Sequence, residues 1–128
     1  MDWLEILGWD EEEIADIRSA GYSYIQQGAF DIALKYFEAL NVLSPSNTYD
    51  METMGALYLQ TGNGMRALDY IDRALKLEPD NLQIRLNRAK ALFMLGYRRQ
   101  GLLQALELEK CEDESIATEA SALVLAYR

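Results

Sequence analysis

A chain of 128 residues, 50% hydrophobic and 26% charged, has the composition of one folded domain and not of a disordered or fibrous protein. Its formal net charge of −9 disfavours a nucleic-acid partner, because neutralising phosphates needs clustered Lys and Arg. The chain has no histidine and a single cysteine, so we expect no enzyme, no catalytic residues, no metal site and no cofactor.

The first segment, residues 1–13, combines acidic and bulky apolar side chains. Residues 1–16 hold seven of the acids and neither Lys nor Arg. The apolar residues here are Trp3, Leu4, Ile6, Leu7 and Trp9. An exposed apolar patch of this kind is unusual for a monomer, so we expect another surface to contact it. Three alternatives stay open for Trp3, Leu7 and Trp9: they cap the helices that follow, form a homodimer contact, or lie as an internal ligand in a groove of the same chain.

Neither the start nor the interior of the chain predicts direct membrane insertion. The longest apolar stretches, such as residues 89–96, are interrupted by Lys90 and are shorter than the about 20 residues that a membrane span needs. Asp2 and Glu5, without a basic residue, differ from the charged start of a secretory signal. We therefore expect a cytoplasmic protein, and a lone cysteine agrees with a reducing compartment.

Helical periodicity predicts seven helices after this segment. Met51, Met54, Gly55 and Tyr58 follow one another at i, i+3, i+4 and i+7, the spacing of one helix face. Asp10, followed three residues later by a glutamate, resembles a capping box for the first helix. The predicted helices are 11–27, 30–43, 48–61, 64–77, 82–95, 98–110 and 115–127.

The same residue types return at a spacing of 34. The columns are Gly28, Gly62 and Gly96; Gly21, Gly55 and Ala89; Ala33, Ala67 and Gly101; and Pro45 with Pro79. A fixed period of this size indicates stacked units of two helices each. The Gly62 column suits the left-handed turn after a first helix, and small residues in the Gly55 and Ala67 columns allow two helices to approach closely.

These columns resemble the tetratricopeptide repeat. The middle unit carries the family's signature residues at Gly55, Tyr58, Gly62, Ala67, Ala74 and Pro79, and the first unit at Gly21, Tyr24, Gly28, Phe30, Ala33, Phe37 and Pro45. The third unit is looser, with Gly101 and Asp113 in place of alanine and proline. The resemblance implies one all-α domain, a right-handed superhelical array of repeats at 14–47, 48–81 and 82–114 with a capping helix at 115–128.

In this family the first helix of each pair lines a concave groove, so the resemblance implies which residues face it. The first unit contributes Arg18, Tyr22, Ile25 and Gln26; the second Tyr49, Glu52, Ala56, Leu59 and Gln60; the third Gln83, Leu86, Lys90, Phe93 and Met94. An apolar groove suits a short peptide with bulky side chains, with Arg18 and Lys90 orienting its polar or acidic parts. Alternatively, several of these side chains pack under a neighbouring helix or a dimer contact.

A narrower resemblance concerns the first repeat. Residues 19–24, 28–31 and 36–43 look like the opening repeat of the small acidic chaperones of type III secretion translocators. This resemblance implies a non-catalytic protein-binding module that holds a peptide segment of a secreted partner. The alternative is a structural or regulatory subunit whose repeats are permanently filled by a partner or by homodimerisation. Tyr22, Thr53 and Gln83 stand where a clamp for acidic chaperone C-termini would need other residues, which argues against that use.

Overall fold

The computed structural model describes residues 2–128, and within this range the chain forms eight α-helices and no strand. The helices are α1 (Trp3–Leu7), α2 (Glu11–Gln26), α3 (Phe30–Leu43), α4 (Thr48–Gln60), α5 (Gly64–Leu77), α6 (Leu82–Met94), α7 (Arg98–Leu108) and α8 (Glu114–Tyr127). The bounds of α2 to α8 lie within two residues of those predicted from the sequence. Helix α1 was not predicted. Among the described residues, no helix has both the length and the apolar character to cross a bilayer.

Glycines end the first helix of each pair at the predicted places. Gly28, Gly62 and Gly96 have φ values of 76°, 82° and 86°, in the left-handed region that disfavours residues with a Cβ. After the first of these, the N–H of Ala29 donates to the carbonyl of Tyr24 at 2.9 Å, the long hydrogen bond of a Schellman motif. The chain therefore reverses after α2, α4 and α6 in the same way.

Side-chain caps begin most of the helices. The Asp10 carboxylate accepts from the backbone of Glu13, and the Glu13 side chain accepts from the backbone of Asp10, so the predicted capping box is present. Single side-chain caps begin α4, α5, α6 and α8, at Asn47, Asn63, Asn81 and Asp113. Each satisfies a backbone N–H that would otherwise lack a partner in the helix, typically worth about 1 kcal/mol.

Within each helix pair, one large side chain packs over one glycine. A Cβ added to the glycine would lie 2.8 Å from a carbon of that side chain in all three pairs, too close for either to stay in place. The pairs are Gly21 with Phe37, Gly55 with Ile71, and Gly101 with Phe93. In the first two, the glycine is on the first helix. In the third it is on the second helix and the large residue is on the first, so large and small residues have exchanged sides.

Helices α4, α6 and α8 pack on one another in succession, and side-chain contacts join α2 to α4. Helices α3, α5 and α7 each pack against the helix before and the helix after them in the chain. A continuous buried cluster runs through the first two pairs into α6 and includes Phe37, Met54, Ile71 and Ile84. Helix α8 packs on α6 and α7, as a first helix packs on the pair before it. It buries Ile116, Ala120 and Val124 in this contact.

The N-terminal helix α1 lies against α3 and away from the inner face formed by α2, α4 and α6. Asp2 caps it, accepting from the backbone of Leu4 at 3.0 Å, and Gly8 ends it with a φ of 69°. Of the apolar side chains in this segment, Leu4 alone packs against the core. The internal-ligand alternative is wrong, because this segment does not lie in the groove. Its other apolar side chains, Trp3, Ile6, Leu7 and Trp9, are 40–59% exposed.

Candidate functional site

An open groove runs along the inner face of the first two helix pairs and ends on α6. Its volume is about 420 Å³. The lining residues are Tyr22, Ile25, Phe30, Tyr49, Glu52, Thr53, Ala56, Leu57, Gln60, Gln83 and Asn87. Helices α2, α4 and α6 supply most of the lining, because helices stacked at one period present equivalent faces to the same side.

Five residues of the proposed contact set meet in this groove: Tyr22, Ile25, Tyr49, Glu52 and Ala56. Gln60 and Gln83, also expected on the groove face, lie here as well. The expected groove set lacked four lining residues: Phe30, Thr53, Leu57 and Asn87. No periodic signal marks Phe30, which begins α3 and reaches the groove from the second helix of its pair. Gln26 and Met94 are exposed but do not line the groove.

Two tyrosines form an aromatic wall at the end of the groove near α2. The rings of Tyr22 and Tyr49 are stacked with centroids 5.8 Å apart, and each residue is 39% exposed. The Tyr22 ring also meets the buried Phe37 edge-on at 6.3 Å. This packing anchors an aromatic pair that still presents surface to a ligand. Aromatic side chains in such a place offer large contact area at a small cost in conformational entropy.

Arg18 does not face the groove as a free cation. Its Nε and Nη2 donate to the two carboxylate oxygens of Asp50 at 2.7 and 2.8 Å, joining α2 to α4. Asp50 is 1% exposed, and its hydrogen bonds to Arg18 raise the pKa of the guanidinium. A bidentate pair with a buried carboxylate holds the guanidinium in place. The expectation that Arg18 orients an acidic ligand is therefore wrong for this structure.

Glu52 carries a carboxylate that faces the groove. The residue is half-buried, and burial raises the pKa of its carboxyl group, with repulsion from Glu78 adding to the shift. Within residues 2–128, this carboxylate neither accepts a hydrogen bond nor forms an ion pair. A charge partly removed from water without a partner is a feature that a ligand can compensate.

The part of the inner face on α6 is covered, which corrects three of the expected contacts. Leu86 is fully buried against Leu108, Ile116 and Ala120. Phe93 is 7% exposed and stacks on Tyr127 of α8 with ring centroids 4.0 Å apart.

The third of these contacts is Lys90, whose Nζ pairs with Glu119 Oε2 of α8 at 3.0 Å. Helix α8 therefore occupies the place where a ligand would meet this part of α6. Leu59 is also not a lining residue, since it packs half-buried against the core.

Two larger cavities lie outside the groove, around Leu75 and Arg88, with volumes of about 490 and 580 Å³. Arg88 already donates to Asp72 at 2.8 Å, and Arg85, beside it, donates to the carbonyl of Pro79 at 2.8 Å. These two arginines therefore already have partners within the chain. The smaller groove differs in being lined by exposed aromatic rings.

No family model matches the sequence. The chain is 28% identical over 89 residues to the anaphase-promoting complex subunit 3 of Schizosaccharomyces pombe. It is 33% identical over 82 residues to the TPR repeat-containing thioredoxin TTL4 of Arabidopsis thaliana. The matches cover 70% and 64% of this chain but only 13% and 12% of the two relatives, so the chain spans a small part of their length.

Solved structures resemble nearly the whole chain. PcrH of Pseudomonas aeruginosa, in complex with the chaperone binding region of PopD, has a TM-score of 0.80 at 22% identity and covers 94% of both chains. The type III secretion chaperone SycD of Yersinia enterocolitica, with a peptide of the translocator YopD, has a TM-score of 0.77 at 21% identity, over 91% of this chain and 92% of SycD.

A third structure is the first TPR of Spaghetti (RPAP3) bound to an HSP90 peptide, with a TM-score of 0.77 at 18% identity, over 91% of this chain and 94% of that one. At these identities the likeness concerns the fold. Stacked helix pairs with a repeat of 34 residues, glycine turns and these neighbours identify the chain as having the fold of the tetratricopeptide repeat proteins.

Proposed function

We propose that this chain is a non-catalytic binding module that holds a short peptide segment of a partner protein in the groove between α2, α4 and α6. The observation that carries the proposal is the open groove with its exposed Tyr22 and Tyr49 rings. Exposed aromatic surface in a concave site is typical of peptide recognition, because bulky side chains of the ligand bury it.

The neighbours support this use of the fold. PcrH, SycD and Spaghetti were each solved with a peptide or binding region of a partner. Two of these three are type III secretion chaperones or were solved with a chaperone binding region, and they match this chain over nearly its whole length. We therefore propose, more narrowly, a type III secretion chaperone that works in the cytoplasm and keeps an apolar segment of a secreted protein covered before export.

The test is to find the partner and then to map its binding to the groove. Full-length protein captures partners from its native extract, and synthetic peptides covering each captured protein are titrated against the wild type and a Tyr49→Glu/Ala56→Glu variant. We expect one short peptide to bind the wild type and to lose at least about tenfold in affinity in the variant, since two carboxylates enter an apolar site.

A matched control is Ile32→Glu/Val42→Glu, which places two carboxylates on exposed positions of α3 outside the groove. This variant should bind the peptide as the wild type does. Equal loss in both variants, or no loss in the groove variant, would place recognition on another surface. A captured partner that is secreted and membrane-active would support the narrower proposal, and its absence would leave only the general one.

A structural subunit or homodimer is the second candidate, favoured by the exposed side chains of Trp3, Ile6, Leu7 and Trp9. One of the SycD structures is described as an alternative dimer. Sedimentation of the wild type and of a Leu7→Glu variant separates the candidates. A dimer that dissociates in the variant, together with a groove that binds no peptide, would favour an assembly role.

A further inference from the structure

The groove has an unbalanced charge. The two cations expected to face it are already paired within the chain, Arg18 with Asp50 and Lys90 with Glu119. Glu52 lines the groove, and within residues 2–128 its carboxylate has no such partner. The net charge of the chain, −9, adds a background that attracts cations and repels anions.

The surroundings of Glu52 are aromatic. Glu52 follows Tyr49 by three residues on α4, so the two side chains lie on one face of that helix. Burial raises the pKa of the Tyr22 hydroxyl, and the negative charges of Glu52 and Asp50 add to the shift. Tyr22 and Tyr49 are stacked on each other and partly open to solvent. Two aromatic rings and a carboxylate thus meet in one corner of the groove.

We propose that this corner of the groove, formed by Tyr22, Tyr49 and Glu52, receives a lysine or arginine side chain of the bound peptide. The inference rests on the proposed peptide-binding function and specifies its ligand, an apolar segment that carries one basic residue. The apolar residues of such a segment would lie along Ile25, Phe30 and Ala56, and its cation would reach the tyrosine rings and the Glu52 carboxylate.

The physical reason is that both parts of the corner favour a cation. Tyrosine faces attract ammonium and guanidinium groups through the ring quadrupole. A half-buried carboxylate without a partner gains from an opposite charge and is opposed by an acidic ligand. The corner therefore selects against peptides with an acid at this position, which is the reverse of a site built to hold an acidic C-terminus.

The experiment selects peptides from a phage-displayed library of short random sequences against the immobilised full-length chain. Parallel selections use Glu52→Gln, the groove variant Tyr49→Glu/Ala56→Glu, and Glu112→Gln. The last removes the same single charge from an exposed loop position away from the groove. We expect wild type and Glu112→Gln to enrich apolar peptides with one Lys or Arg, and Glu52→Gln to enrich apolar peptides without that preference.

An enriched peptide and its analogue with norleucine in place of the basic residue are then titrated against wild type and Glu52→Gln. Norleucine keeps the aliphatic chain and removes the charge. The basic peptide should bind Glu52→Gln about fivefold more weakly than wild type, the size expected for a partly exposed ion pair, and the norleucine peptide should bind both equally.

The outcomes separate the two proposals. Peptides that bind the wild type and are lost in the groove variant, but show no basic preference, would overturn this inference and leave the peptide-binding function standing. A basic preference that persists in Glu52→Gln would also overturn it. Selection of no peptide, or binding unaffected by the groove variant, would overturn the proposed function and this inference with it.

Discussion

The inner face has two halves, one on α2 and α4 and the other on α6. Residues at equivalent positions of the repeat are open to solvent in the first half and covered in the second. On α2 and α4, Tyr22 and Ala56 line an open groove. On α6 the same column holds Lys90, which is paired to α8, and the neighbouring Phe93 is stacked under Tyr127. A repeat column therefore specifies where on its helix a side chain points, whereas the next element along the stack decides whether solvent reaches it.

Helix α8 makes this difference. It follows α7 as α6 follows α5, and it packs on the preceding pair in the same way. Its buried residues Ile116, Ala120 and Val124 pack against α6 and α7. One half of the inner face is thus an open groove, and α8 covers the other half.

A substitution that disrupts the packing of α8 on α6 should have the largest effect on stability. Ala120 is fully buried, so Ala120→Asp places an unpaired carboxylate in the packed interface. We expect a loss of about 4 kcal/mol in the free energy of unfolding, measured by denaturant titration, with faster amide exchange in α8. Ala122→Asp makes the same change on the exposed face of α8 and should cost less than about 0.5 kcal/mol. Equal costs would mean that α8 does not cover α6.

The ion pairs of the two halves should differ in strength. Arg18→Ala leaves the carboxylate of Asp50, 1% exposed, without its cation, and should cost about 3 kcal/mol in unfolding free energy. Lys90→Ala removes one half of an exposed pair, since the Lys90 and Glu119 side chains are 37% and 50% exposed. It should cost less than about 1 kcal/mol and become negligible at high salt. A reversed order would contradict the buried position of Asp50.

The exchange of large and small residues in the third pair can be tested by a coupled substitution. Gly101→Ala brings a methyl group within 3.0 Å of the Phe93 ring, which Tyr127 holds from the other side. Alanine has a higher helix propensity than glycine, which offsets part of the cost of this clash. We expect a net loss of about 1 kcal/mol in the free energy of unfolding. Adding Phe93→Leu should relieve the clash, so that the double variant costs less than the sum of the two changes.

The control for this prediction is the same glycine change in the second pair. Gly55→Ala collides with Ile71 and not with Phe93, so combining it with Phe93→Leu should give additive costs in unfolding free energy. If Phe93→Leu gave non-additive costs with both Gly101→Ala and Gly55→Ala, it would be loosening the whole array. The result would then contradict a specific contact between Gly101 and Phe93.

The smallest effect concerns Glu52 in the open half. Its pKa in the folded chain is raised above 4.5 by burial and by Glu78, so the ionised form weakens the fold and the protonated form relieves that cost. Glu52→Gln should therefore stabilise the chain above the raised pKa, by about 0.3 kcal/mol after allowance for solvent screening.

This gain should shrink as the pH falls through the raised pKa and should vanish below 4.5, the ordinary value of the carboxyl group. Unfolding free energies of wild type and variant, measured across that range, test the sign. A gain that grows on acidification would contradict it, and Glu112→Gln provides the control for a general change in net charge.

Much of the fold was predictable because its signals are local. The helical spacing of apolar residues, the Asp10 capping box and the glycine turns are properties of residues close together in the chain, and α2 to α8 follow them closely. Even α1, which was missed, has a local signal: an aspartate before an apolar run and Gly8 after it, the residues that cap it. Recognising that pattern would have added the helix.

The candidate site was predictable only in part. The resemblance to the tetratricopeptide repeat implied that Tyr22, Tyr49, Glu52 and Ala56 would share the inner face, and all four line the groove. The sequence also determined how each helix begins and ends.

Only the tertiary structure decided that Arg18 is neutralised by Asp50 and that α8 covers Leu86 and Phe93. These contacts join residues far apart in the chain, and which of them forms depends on how whole helices pack, not on any short run of sequence. Glu52 carries the charge that remains in the groove because the cation Arg18 is paired with Asp50. That outcome depends on the tertiary structure and not on the sequence around Glu52.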